Sequence, residues 1–263
     1  MELGLSRRCS VRTSVLRLLT ALLFLLPAMS FAARAEPDAD QRQLLKACQA
    51  GNHESCNKLG ALLYPAKSQA CEAGDAGSCY NVGTFYKFGM GVSKDENKMV
   101  AYYSRACVGK FVKACTDLGV AYELGTGIAQ NKAKAAEFYK TSCEGGDLKG
   151  CTDLAFLYYS GQGVEKNLTL AATINEHACD LGEPLGCNNL AMGYINGDGL
   201  FKDLAKAELL LQKACTAGLG EGCNNLGVQY QNVRGDVKRA SQFYKAACDS
   251  GYELGCKNLE ALN

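Results

Sequence analysis

The stretch CNNLAMGYINGDGLFKDLAKAELLLQKAC (residues 187–215) decides the fold. Leu190, Ala191 and Tyr194 fall at helical spacing on one face of the segment from Cys187 to Asn196. Gly197-Asp198-Gly199 then interrupts the pattern, glycine being free to take the positive φ that helix ends favour. A second amphipathic stretch runs from about Asp203 to Ala217, turns Ala207, Leu210 and Leu211 inward, and stops at Gly218. The unit is an αα hairpin with a first helix A and a second helix B.

The same unit recurs on both sides. Tyr86, Tyr122, Tyr158, Tyr194 and Tyr230 stand at one fixed spacing of 36 residues, and so do Val82, Leu118, Leu154, Leu190 and Leu226. The column after those aliphatics holds only small residues: Gly83, Gly119, Ala155, Ala191 and Gly227. A small residue there lets a neighbouring helix approach closely. A period of this size is the signature of a solenoid, in which a hairpin unable to bury its own apolar face is stabilised by stacking on its neighbours. The expected fold is therefore all-α, an αα-hairpin solenoid. It forms a single array over residues 36–263, of about six units with atypical ends.

Cysteine usage sharpens this. The chain has 263 residues and 15 Cys, but no Trp and two His. Fourteen of the cysteines form seven pairs with seven residues between partners: Cys48/Cys56, Cys71/Cys79, Cys107/Cys115, Cys143/Cys151, Cys179/Cys187, Cys215/Cys223 and Cys248/Cys256. Each pair straddles the turn from helix B of one unit to helix A of the next. The first Cys then sits in a last helical turn and the second in the first turn of an antiparallel neighbour, within disulfide reach. Repeat symmetry favours this local pairing. Zinc is a poor alternative, because C-x7-C with two His does not supply clustered ligands. No metal or cofactor is expected.

The ends depart from the pattern. Cys56 and Cys71 are unusually close, and Pro65 is expected to end a short first helix. The last full unit is three residues short, and Cys256-Lys257-Asn258-Leu259 closes the stack as a half-unit.

The first 35 residues read differently. Arg7, Arg8, Arg12 and Arg17 precede an apolar run from Leu18 to Met29, and Ala33-Arg34-Ala35 follows. Basic flank, short apolar run and A-x-A ending describe a secretory signal peptide over residues 1–35, with an Arg-rich mitochondrial presequence as the competing reading. The run is shorter than the roughly 20 residues of a membrane-spanning helix, so no stable membrane insertion is expected after cleavage. Disulfides and a leader together predict a periplasmic or secreted protein. With 28 Lys+Arg against 27 Asp+Glu the net charge is +1, which gives no electrostatic case for nucleic acid.

Leu190-Ala191 with Tyr194, Gly197-x-Gly199-Leu200, Lys202-Asp203, Lys206-Ala207 and Lys213-Ala214-Cys215 together resemble the Sel1-like repeat. The Cys-linked form is similar to the Helicobacter cysteine-rich proteins. The resemblance covers roughly residues 40–261. It implies a right-handed superhelix related to tetratricopeptide repeats, whose helix A faces line a concave groove that binds a protein or peptide.

Counting the second Cys of each pair as zero, positions +3, +4 and +7 are expected to pack, leaving +1, +2, +5 and +9 on the open arc. The +2 column reads Asn81, Asp117, Asp153, Asn189 and Asn225, with Lys58 before it and Asn258 after it. Short amides and carboxylates one repeat apart suit an extended peptide backbone. The resemblance adds that an asparagine at the matching place in tetratricopeptide domains grips peptide main chain. The same residues suit helix capping or hydrogen bonds between turns equally well. The +5 column is Thr84, Val120, Phe156, Met192 and Val228, side-chain pockets if exposed and core if the wheel is rotated. The mixed Asn and Asp column argues against a strongly acidic peptide and leaves neutral or weakly basic ones open.

Some cysteine-rich relatives are described as penicillin-binding proteins or weak β-lactamases, the alternative function. Ser55-Cys56-Asn57-Lys58 matches S-x-x-K and Tyr194-Ile195-Asn196 matches Y-x-N, but K-T-G is absent, Lys140-Thr141-Ser142 being nearest. The serine lies about four repeats from Tyr194, so no catalytic residue is assigned. His53 and His177 precede paired cysteines, which have no thiolate to activate. Asn167-Leu168-Thr169 fits a glycosylation sequon and is read as coincidence.

Overall fold

A computed structural model of the chain describes residues 39–262, so the leader expected over residues 1–35 lies outside the described residues. The helices divide into two compact units, one ending at Gln130 and one beginning at Asn131. The first holds α1 (Ala39–Gln49), α2 (His53–Glu72), α3 (Ala76–Phe88), α4 (Glu96–Val108) and α5 (Val112–Leu124). The second holds α6 (Lys132–Glu144), α7 (Leu148–Ser160), α8 (Leu168–Asp180), α9 (Pro184–Asn196), α10 (Leu204–Thr216), α11 (Gly220–Asn232), α12 (Val237–Asp249) and α13 (Glu253–Glu260). Among the described residues every regular element is an α-helix, and within each unit successive helices pack against one another.

Local chemistry sets the helix starts. Asp95, Asn131, Asn167, Asp203 and Asp236 are the N-caps of the five B helices α4, α6, α8, α10 and α12, each accepting from the amide three residues on. Such a cap satisfies one of the free N–H groups of a first turn. Asn167 of the sequon is thus a cap: its Oδ1 accepts from the Leu170 amide at 2.9 Å.

The paired glycines of each A-to-B loop have separate tasks. Gly89, Gly125, Gly161 and Gly197 take the left-handed conformation that ends α3, α5, α7 and α9. The second glycine is a contact between repeats. A Cβ on Gly163 would fall 2.3 Å from the Lys132 carbonyl carbon, and one on Gly199 would fall 2.4 Å from that of Leu168. The loop of one hairpin therefore rests directly on the B-helix backbone of the hairpin before it.

All seven expected disulfides are formed: Cys48–Cys56, Cys71–Cys79, Cys107–Cys115, Cys143–Cys151, Cys179–Cys187, Cys215–Cys223 and Cys248–Cys256, with Cα atoms 4.5–4.8 Å apart. In three of the bridges the two ends differ in burial. Cys115 on α5, Cys151 on α7 and Cys223 on α11 are buried, whereas their partners Cys107, Cys143 and Cys215 are half-buried. The second Cys enters helix A, which packs on more neighbours than the outer end of helix B does. Each of these three bridges therefore ties a surface turn to the core.

The core lies on the expected face: Val82, Leu118, Leu154, Leu190 and Leu226 are all buried. The expectation for the first helices fails. Pro65 does not end a helix but lies inside the continuous 20-residue α2. The short spacing from Cys56 to Cys71 leaves no room for a loop, so the hairpin positions merge into one helix. Disulfides to Cys48 and Cys79 fasten it at both ends, which offsets the backbone hydrogen bond that proline removes.

Candidate functional site

The +1 arc is buried rather than open. Tyr80, Thr116, Thr152, Asn188 and Asn224 are all no more than 2% exposed. A one-sided helical wheel assigns them to solvent, but helix A of a stacked hairpin touches the helix A of the adjoining repeat as well as the B helices. Three of these +1 side chains form hydrogen bonds across that contact. Tyr80 donates to Asp117 Oδ2 at 2.7 Å, Asn225 Nδ2 donates to Asn188 Oδ1 at 2.9 Å, and Asn258 Nδ2 donates to Asn224 Oδ1 at 2.8 Å. In each case a +1 residue meets the +2 residue of the next repeat.

The cysteines immediately before this arc belong to the same buried layer. Cys115, Cys151 and Cys223 are bonded and enclosed, so they offer neither a thiol nor a groove contact and serve the architecture alone.

In the first unit, Asn81 and Thr84 are buried, and Thr84 Oγ1 lies 3.3 Å from the Tyr103 hydroxyl. Asp117 and Val120 are half-buried. Burial above all, and then the Asp117 carboxylate, hold the Tyr80 and Tyr103 phenols well above their ordinary pKa. Asp117 also lies 3.8 Å from Lys87 Nζ. These residues act as a packed polar cluster between two repeats.

In the second unit the columns separate. Asp153 accepts from Lys149 Nζ at 2.6 Å, Asn225 is bonded to Asn188, and half-buried Val228 packs on the cluster of Ala191, Leu211 and Leu226. Phe156, Asn189 and Met192 instead meet around one cleft of about 250 Å³ between α7, α8 and α9. Its floor is Ala155, Ala171 and Ala172. Phe156 and Tyr159 stand at its rim, 50% and 45% exposed. Asn189 has no side-chain hydrogen-bond partner among the described residues. Asp198 is the one charged lining residue among those described, and its Oδ2 accepts from the Tyr159 hydroxyl at 3.1 Å and from Asn196 Nδ2 at 3.2 Å. The hydrogen bond to Asp198 raises the Tyr159 pKa.

Sequence reasoning missed Asn175 on α8. It lines the same cleft, is 7% exposed, and its Oδ1 has no hydrogen-bond partner among the described residues. Elsewhere, Lys58 of the S-x-x-K match is held by Glu54 at 2.7 Å, an ordinary surface pair. Among the described residues no group of His, Cys, Asp and Glu is arranged to hold a metal ion, and no helix is long and apolar enough to cross a membrane.

Helical hairpins at a 36-residue period, paired loop glycines and a bridge at every B-to-A turn define a disulfide-linked repeat protein of the solenoid class. The chain belongs to the Sel1 repeat family, whose model matches five times, at residues 76–107, 112–147, 148–182, 184–219 and 220–252. Similar solved structures include a Sel1 repeat protein from Oxalobacter formigenes, with 22% identity, TM-score 0.66, and 84% of this chain and 86% of that one covered. They also include a protective antigen present in uropathogenic Escherichia coli strains displaying an SLR fold, with 23% identity, TM-score 0.67, and 84% and 51% covered. The chain thus spans about half the length of that antigen. Helicobacter pylori cysteine rich protein B is a further neighbour, at 28% identity and TM-score 0.39 over 57% of this chain and 96% of that one. These likenesses concern the fold. No curated protein sequence matches the chain.

Proposed function

We propose that the protein is an exported scaffold that holds a peptide or protein segment against the helix A faces of its repeats. The observation that carries this reading is the convergence of Phe156, Asn189 and Met192, from successive A helices, on one open cleft. Apolar walls beside a carboxamide with no partner among the described residues suit a side chain in the hollow and main chain alongside it. Asp117, Asn225 and Asn258 serve the contact between repeats, so peptide capture by the +2 column centres on Asn189. Sel1 repeats generally mediate protein interactions, and the cleft's single carboxylate favours a neutral or weakly basic segment. Export is supported by the seven disulfides, which persist in an oxidising compartment, and by the leader-like residues 1–35.

The test is panning of a random peptide library against the exported product of the full chain, followed by affinity measurement on Phe156→Ala and Asn189→Ala. Selected peptides should lose at least about tenfold in affinity on either variant, equivalent to 1.4 kcal/mol. Peptides that bind both variants unchanged, or selection of none, would overturn the reading. N-terminal sequencing of the exported product should start near Glu36.

A further inference from the structure

The hollow beside Phe156 has a cause in the repeat pattern. The B-helix position facing the small +4 residue reads Tyr103, Tyr139, Asn175, Leu211 and Tyr244 along the chain. The tyrosine rings lie flat against glycine: a Cβ on Gly83 would stand 2.6 Å from Tyr103 Cδ1, and one on Gly227 would stand 2.6 Å from Tyr244 Cε1. Where +4 is alanine, that approach is closed, and the facing residues are Leu211 opposite Ala191 and Asn175 opposite Ala155. Leu211 fills its place and is fully buried among Ala191 and Leu226. Asn175 is too short to do so. It leaves a hollow with a buried carboxamide whose Oδ1 is unpartnered, which is costly in the free protein.

We propose that this hollow is a specificity pocket for one aromatic side chain with a hydrogen-bonding tip, tyrosine above all, carried by the bound peptide. The inference rests on the groove reading and names what that groove selects. Tyr103 and Tyr244 at this position run from the B-helix backbone toward the A-helix rim. The Tyr103 hydroxyl lies 3.3 Å from Thr84 at +5, and the Tyr244 hydroxyl donates to Gln231 at +8 across 2.6 Å. The matching rim places here are Phe156 and Tyr159, both substantially exposed. An incoming ring follows the same track in reverse, past Phe156 and Met192, and brings its hydroxyl to Asn175. The carboxamide rotates to offer that hydroxyl either a donor or an acceptor. The Met192 thioether and the Phe156 ring suit an aromatic face. Asp198 at the rim opposes a phosphorylated or otherwise anionic ring.

The test is a ¹H–¹⁵N NMR titration of the exported full-chain product with N-acetyl-tyrosinamide and N-acetyl-phenylalaninamide. N-acetyl-tyrosinamide should shift the amide signals of Ala155, Asn175, Met192 and Gly193. The phenylalanine amide, lacking the hydroxyl, should bind about tenfold more weakly, the equivalent of 1.4 kcal/mol. Asn175→Leu copies the Leu211–Ala191 pairing and should fold while losing the tyrosinamide response. Equal binding of the two amides, an unchanged response in Asn175→Leu, or no shift at these residues overturns the pocket. Selected peptides that need Asn189 but ignore Asn175→Leu would sink the pocket and leave the groove standing. A tyrosinamide response without any selected peptide would do the reverse.

Discussion

Asn225 Nδ2 donates to Asn188 Oδ1 across 2.9 Å, so the carboxamide of one repeat fastens the buried carboxamide of the repeat before it. Asn189, next to Asn188 in sequence, has no such bond among the described residues and lines the cleft instead. Neighbouring residues of one helix turn thus serve cohesion and the candidate site separately.

The first prediction separates the two roles. Asn225→Ala removes the donor to a group only 1% exposed, and should cost about 1–3 kcal/mol by urea unfolding. Asn189→Ala breaks no side-chain hydrogen bond among the described residues and should change stability by less than about 0.5 kcal/mol, while weakening peptide capture. Equal stability losses would show that Asn189 is structural too.

Much of this architecture is legible in the sequence because each structural task recurs once per repeat. The 36-residue columns of Leu118, Leu154 and Leu190 mark the core, and each Cys pair, such as Cys143 and Cys151, marks a turn. The site is less legible, since the +2 column mixes tasks: Asp117 and Asn225 join repeats, whereas Asn189 faces the cleft. A single-helix wheel misplaces position +1 because it omits the lateral contact that buries Asn188 and Thr152. Pro65 misleads because its helix is clamped at both ends by bridges that act through tertiary structure. Asn175 does leave a signal, a departure from a tyrosine column, and it becomes visible only when the B helices are aligned as the A helices are.

The second prediction isolates the close approach between repeats. Gly163 and Gly146 both have positive φ, +76° and +92°, but a Cβ on Gly146 meets nothing within 4 Å. Gly146→Ala should therefore cost only the backbone strain, about 1–2 kcal/mol. Gly163→Ala adds a collision with the Lys132 backbone and should cost about 1–3 kcal/mol more. Thermal or urea unfolding of the two variants gives the difference directly. If they are equally stable, the loop does not support the preceding hairpin.

The third prediction concerns alkaline pH. Tyr80 and Tyr103 have raised pKa values in the folded protein, chiefly through burial. Folding then favours the neutral phenol, so this stability is fully present below the unfolded pKa near 10 and is lost as pH rises above it. Each tyrosine that stays neutral steepens the fall by up to about 1.4 kcal/mol per pH unit. Tyr103→Phe, which keeps the ring against Gly83, should make the slope shallower. Phenolate absorbance of these two rings should appear only together with loss of helical circular dichroism. Their ionisation in a still-folded chain would contradict the buried assignment.

The fourth prediction uses two bridges that close loops of the same length in the second unit. By chain entropy alone, removing Cys179–Cys187 or Cys248–Cys256 costs about the same, roughly 2.5 kcal/mol. Their surroundings differ. Cys179 and Cys187 are each 1% exposed and pack with Ala214 between repeats on both sides, whereas Cys256 is half-buried in α13, the last described helix. In a stacked array stability is a sum of repeat and nearest-neighbour terms, so an internal break weakens coupling in both directions and a terminal one only on one side. Cys179→Ala with Cys187→Ala should therefore lose more stability than Cys248→Ala with Cys256→Ala, and should broaden the urea transition. Non-reducing peptide maps should show the remaining six bridges intact in both proteins. Equal losses with equally sharp transitions would mean that the bridges act only on the unfolded chain, and that the repeats are coupled by the asparagine bonds and loop glycines instead.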